Sequence, residues 1–353
     1  MNKKGNSEIW EAKKKLNALI KESQKKAKLS FCIHCGKSVT SFCTSHSIPK
    51  FCLNNISSGE RLSTINEFVG IEVLDTEEGA KSAGTFKLIC SECDNSLFRI
   101  YENPYAYEKE PTDQMLAQIA MKNYLHMISK RLEEIQRNEI EQEMFTPDPV
   151  KYSSIREVQF LDLHDYFAGY ERARRGSIKD RGDWYYLCTF HRLDYCIPIA
   201  FQAAITPIFG FDGDLINNIF DMDPGSITSD IHFVGFPLGD YSVVFSFIDS
   251  RGHARYKKFY KTLRSLPVDD QLATINFLVF AYTENVFVSK FIDRRISQHR
   301  KFKEVCSTGA INTRGFSDFL LIKAMFEYDL SQRLLIPNLL SREYSLTQTN
   351  QEL

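Results

Sequence analysis

The sequence predicts an α+β protein: a small zinc-stabilised module, a long connecting helix, and a larger C-terminal α+β domain with an antiparallel sheet. Three observations carry this. Two Cys-x-x-Cys pairs, Cys32/Cys35 and Cys90/Cys93, bracket a short stretch rich in Cys, Ser and Gly. An apolar stripe with a helical period runs through Met115, Leu116, Ile119, Ala120, Tyr124, Met127, Ile128, Leu132 and Ile135. From Tyr185 onward come short runs of aromatic and β-branched residues, the composition of strands. A chain of 353 residues suits two compact domains, and 43% hydrophobic with 25% charged residues is a globular balance. A wholly disordered, collagen-like or coiled-coil protein is excluded.

Residues 1–28 predict a basic helix. Ser7 can cap it, Ile9, Leu16 and Ile20 recur at helical spacing, and Trp10 and Leu19 widen the stripe. Nine Lys against three Glu make the other face cationic, a solvated surface or a phosphate-backbone contact. Residues 29–110 are the module, with strand-like pieces such as 85–89. A core this small and polar is marginal alone, and a metal cross-link makes up the deficit. Residues 111–149 hold the connecting helix, started by Pro111 and Thr112 and ending near Met144, before Pro147 and Pro149. His126 lies beside its stripe and reads as structural. Residues 150–353 form the α+β domain, with a helix over 161–175 and strands over 185–192, 198–208, 231–236 and 242–248. Further helices are predicted over 255–266, 269–291 and 315–330. The loop carboxylates at Asp212, Asp214, Asp221 and Asp223 lack the EF-hand pattern and read as turn residues.

The chain has nine cysteines, and none of its apolar runs suits a membrane helix. No secretory h-region follows the basic N-terminus, so a cytoplasmic, reducing setting is expected. There the paired hooks favour metal over disulfides. Two hooks this far apart can close one tetrahedral zinc site through Cys32, Cys35, Cys90 and Cys93, and four thiolates leave no open position, which makes the site structural. Cys43 and His46 offer a rival set, Cys₃His with Cys32 and Cys35. Cys52, Cys188, Cys196 and Cys306 read as buried apolar residues.

Between the hooks stands Ser45-His46-Ser47-Ile48-Pro49, and the second hook continues into Asp94-Asn95. With the zinc hooks, this resembles the HNH nuclease superfamily in its zinc-stapled, ββα-metal (treble-clef) form, over roughly residues 30–100. The resemblance places His46 at the general-base position and Asp94 at the ligand position for a catalytic Mg²⁺ or Mn²⁺, with Asn95 assisting. The chain departs from the family at Ser45, where a metal-binding Asp, Glu or His is usual. The family's middle Asn is also missing, with Thr85 nearby, and an insertion occupies 53–84. Glu102 reads as supporting or structural.

The function this implies is a metal-dependent DNA endonuclease, possible in restriction, phage defence or a mobile element. Its DNA contacts would come from the lysine helix and from Arg172, Arg174, Arg175, Lys179 and Arg181. The alternative is a non-catalytic zinc-finger module that binds nucleic acid or protein. The C-terminal domain would then serve recognition, homodimerisation or contact with a partner protein.

Overall fold

The computed structural model describes residues 3–57, 61–71, 73–144, 149–178, 182–221, 223, 225–308 and 317–346. The protein is α+β with an antiparallel sheet. The N-terminal half contains α1 (Lys3–Lys26), β1 (Ser45–His46), α2 (Lys50–Ser57), β2 (Arg61–Thr64), α3 (Asn66–Val69), β3 (Glu77–Gly79), β4 (Thr85–Phe86) and α4 (Ser91–Leu97). Two long helices follow, α5 (Asp113–Met144) and α6 (Pro149–Gly176). Then come β5 (Tyr185–Leu193), β6 (Ile199–Ile205), β7 (Ile231–Pro237), β8 (Ser242–Asp249), α7 (His253–Ser265), α8 (Val268–Tyr282), β9 (Val286–Val288), α9 (Arg294–Gln298), α10 (Arg300–Thr308) and α11 (Ser317–Glu327).

The connecting helix, α5, runs from Asp113 to Met144, close to the bounds expected from the sequence. It is one arm of an antiparallel hairpin: Gln114 donates to the Ser177 carbonyl at one end, and Arg131 pairs with Asp162 further along. The helices approach closely where Gly169 faces Tyr124. A Cβ on Gly169 would collide with the Tyr124 ring. The second arm begins at Pro149, well before the expected residue 161. Proline suits a first helical position, where its missing N–H leaves no bond unmade.

Seven strands form one sheet in the order β3-β2-β9-β6-β7-β8-β5, every pair antiparallel. One predicted helix gives way here. The run expected as a helix over 269–291 is helical only to Tyr282; Thr283 is extended, and Val286-Phe287-Val288 becomes a strand between β2 and β6. A continuous buried apolar run has no period of its own, so neighbouring strands decided its form. The insertion at 53–84 supplies β2 and β3, so the sheet draws strands from both sides of residue 110.

The sheet is buried on both faces, and alternation sorts its side chains. Phe201, Ile205, Ile231, Phe233, Val244, Val286 and Val288 pack with α7, α8 and α10. Val234, Phe236, Val243, Phe245, Phe247 and Phe287 pack toward α2, α5 and the cysteine-rich region. The second face includes a buried polar chain. Ser47 donates to Asn285, Asn285 to the Gln202 carbonyl, and Gln202 to Asn123, which meets His232 at 3.0 Å. These bonds tie the loop after β1 to the sheet and α5, so the cysteine-rich region is held against the sheet.

Candidate metal centre and the Asp94 pocket

The first hook sits on a tight turn. The Cys32 N–H donates to the Lys37 carbonyl and the Gly36 N–H to the Cys32 carbonyl, both at 2.9 Å. Gly36 takes φ +70°, a conformation that favours glycine. The second hook opens α4: Cys90 is its extended N-cap residue, and Cys93 falls in its first turn. The two hooks converge, with the Cys32, Cys35, Cys90 and Cys93 sulfurs all within 4.8 Å of one another. Cys35 and Cys90 are 4.0 Å apart. Zinc–sulfur bonds of about 2.3 Å put tetrahedral sulfurs about 3.8 Å apart, so four soft donors already stand close to the geometry zinc needs. Burial raises the Cys32 pKa, but N–H groups of Cys35 and Cys90 outweigh it and bring the thiol down to about 7. That assists ionisation, which metal binding requires.

The rival Cys₃His set does not assemble. Among the described residues, only the four hook cysteines make a metal-sized group. Cys43 instead points its Sγ at Asp94 Oδ2, 3.3 Å away. Cys52, Cys188, Cys196 and Cys306 are buried, as their apolar reading requires. Asp212 and Asp214 pair with Lys258 at 3.0 and 3.2 Å.

Asp94 lies one residue beyond the last zinc-hook cysteine, and its surroundings are unusual. Ser45 Oγ donates to Oδ1 at 2.6 Å, and Lys122 Nζ reaches the same oxygen at 3.0 Å. Lys122 also pairs with Glu102 Oε1 at 3.1 Å. Its ammonium lies 3.7 Å from the Phe98 ring centroid, and its side chain is 1% exposed. Burial alone would raise the Asp94 pKa; Lys122 and the Ser45 and Cys43 donors overcome it and hold the carboxyl below its ordinary value. Serine hydroxyl, thiol and ammonium all present hydrogens to this carboxylate. A divalent cation needs lone pairs from its neighbours, and here it would also meet a buried positive charge. The residues around Asp94 therefore do not fit Mg²⁺ or Mn²⁺.

His46 pairs across the ladder with Thr85 of β4. Burial, joined by Lys50 and Lys122, lowers its pKa against the opposing backbone bonds at Ala80 and Lys81, so the ring is neutral near pH 7. Its Nε2 is buried and has no hydrogen-bond partner among the described residues. Asn95 is exposed on α4. Serine 45 and Asp94 are thus brought together, whereas the His46 Nε2 is closed to solvent.

Lys122 is the residue that sequence reasoning missed. It falls three positions after Ile119, in phase with the apolar stripe of α5. A lysine at a core-facing helical position is a usable signal, because an ammonium there needs an acidic partner. His126, on the same helix, is neutral, with burial bringing its pKa down to about 3.

The basic surfaces differ in kind. On α1, Trp10 is 63% exposed, with the Lys14 ammonium 5.4 Å from its ring. Trp10, Lys13, Lys14, Asn17, Ala18 and Lys21 line one shallow face. The first 57 residues hold eleven Lys and three Glu, a net charge of +8, against −9 for the remainder. In the arginine cluster, Arg172 is bound to Asp249 and stacked over Trp184, and Arg174 is bound to Glu171. Arg175 is exposed, and Lys179 and Arg181 lie outside the described residues. Among the described residues, no helix is long and apolar enough to cross a membrane. No family model, curated protein or solved structure matches the chain.

Proposed function

We propose that this is a non-hydrolytic nucleic-acid-binding protein, whose zinc-stapled N-terminal region presents α1 to the phosphate backbone. The observation that carries the reading is the face of α1: the exposed Lys14 and Lys21 beside an exposed tryptophan, in a segment of net charge +8 within a nearly neutral chain. Such a face offers counterions to phosphates and a ring on which a base can stack. The zinc centre closes one tetrahedral shell and serves as scaffold. The HNH-like spacing survives as architecture, while Lys122 takes up the carboxylate that a nuclease would give to its metal.

Fluorescence anisotropy with labelled single strands and duplexes tests the reading. Binding should weaken linearly in log–log salt plots, with a slope of about −3 from three to four phosphate contacts. Changing Lys14 and Lys21 to Ala should lower affinity about tenfold at low salt and reduce the slope. Binding that ignores salt, or that the double variant leaves intact, would contradict it. A nuclease reading draws on one observation, the neutral His46 ring beside Ser45, but needs Nε2 to open and Lys122 to yield its place.

A further inference from the structure

A cleft of about 570 Å³ opens between the α5–α6 hairpin and the rim of the sheet, where β6 ends and β7 begins. No residue of the zinc group or of α1 lines it, so it is independent of the proposed nucleic-acid face. Its size is that of a small-molecule site.

The charges in its wall decide what it can hold. Arg131 is engaged by Asp162 at 2.7 Å and Arg251 by Asp249 at 2.8 Å. Arg255 donates to Asn217 Oδ1 at 2.7 Å. Asp230 is different. The Tyr124 hydroxyl donates to its Oδ2 at 2.9 Å and the Thr206 hydroxyl to its Oδ1 at 2.7 Å. No ammonium or guanidinium pairs with it among the described residues. Two hydroxyls satisfy lone pairs but leave the charge uncompensated, and burying such a charge is costly. Burial accordingly pushes the Asp230 pKa up against those two donors, and the neighbouring Asp165 and Asp162 push the same way. Tyr124, Tyr166 and Tyr282 add aromatic surface, and Ile219 and Ile227 apolar surface. Aromatic faces attract cations, and apolar walls accept an alkyl stem.

We propose that this cleft binds a small organic cation, an amine or guanidine on a short alkyl stem, with its charged end at Asp230. Carboxylates hold Arg131 and Arg251 and the Asn217 carbonyl holds Arg255, whereas no cation holds Asp230, and the wall's four carboxylates outnumber its three guanidinium groups, so the balance favours positive charge. An anion would have to break the Arg131–Asp162 or Arg251–Asp249 pair, or draw Arg255 from Asn217, beside an excess of carboxylates.

Isothermal titration of the full-length, zinc-loaded protein at pH 7.5 with agmatine, cadaverine and spermidine tests this, with citrate as the anionic control. At least one amine should bind one to one and citrate should not. Asp230→Asn should weaken the amine at least tenfold, with circular dichroism checking the fold. If that variant does not fold, Asp165→Asn decides, because it removes a second negative charge from the wall and should weaken binding about threefold. Binding of no amine, tighter binding of citrate, or unchanged affinity in a folded Asp230→Asn variant would overturn the proposal. Unchanged affinity in Asp165→Asn, where it is the deciding variant, would overturn it too. Because α1 contributes nothing to the cleft, loss of nucleic-acid binding in the lysine variants leaves this result unaffected.

Discussion

Replacing Cys90 with serine is expected to abolish metal binding at the four-cysteine group and unfold the cysteine-rich region. Cys90 acts twice, as one of four converging sulfurs and as the N-cap residue from which α4 departs. Structural zinc couples directly to folding, since the unfolded chain holds no preformed site. The region's own strands add little, β1 and β4 being two residues each. Yet its side chains Leu53, Ile56, Phe98, Tyr101 and Tyr107 fill the second face of the sheet, so the damage should spread. A cost of at least ~4 kcal/mol is expected, which lowers Tm by on the order of 10 °C in a domain of this size. Zinc content should fall from one per chain to nearly none, and limited proteolysis should cut between residues 29 and 103. Cys43→Ser should keep the zinc. Full zinc content in Cys90→Ser, or its loss in Cys43→Ser, would show that the ligand set is wrong.

The second large effect belongs to Lys122. Its side chain is 1% exposed, and its ammonium joins Asp94 on α4 to Glu102 on the segment before α5. Lys122→Met leaves two carboxylates facing an apolar stem, and breaking a buried pair from one side costs about 3–5 kcal/mol. Urea denaturation should show a lower midpoint at an unchanged slope. The variant should also acquire something the parent lacks, because Asp94 and Glu102 without their ammonium form a pair of hard oxygen donors. Mn²⁺ titration followed by electron paramagnetic resonance should detect one tighter site in Lys122→Met and none in the parent. Mn²⁺ bound equally by both proteins would mean that Lys122 does not stand in the cation's place.

Much of this architecture was legible, and the failures have physical causes. The convergence of the four hook cysteines was readable because Cys-x-x-Cys spacing is itself the geometry of a metal hook, fixed locally by a tight turn or a helix start. The long helix was readable because Met115 to Ile135 repeat every three to four residues, and the bounds of β7 and β8 came close because both are short runs rich in aromatic and β-branched residues. Val286–Val288 misled because a buried run reads alike in helix and strand, and only β2 and β6, distant in sequence, decide the matter. The insertion strands β2 and β3 were hidden because they are four and three residues long and because β2, on which β3 pairs, is supported by β9, more than 200 residues away. The Asp94 pocket was half legible. The motif located Ser45 and Asp94, but the charge that sets their chemistry comes from Lys122, a residue no local pattern connects to them.

The most direct test of the account is one incubation of zinc-loaded protein with supercoiled plasmid in Mg²⁺, resolved on a native gel and then on a denaturing gel. The account expects DNA that is retarded on the first gel and intact on the second. Nicked or linear product that disappears in His46→Ala and Asp94→Ala, with zinc still bound, would contradict it and restore the nuclease.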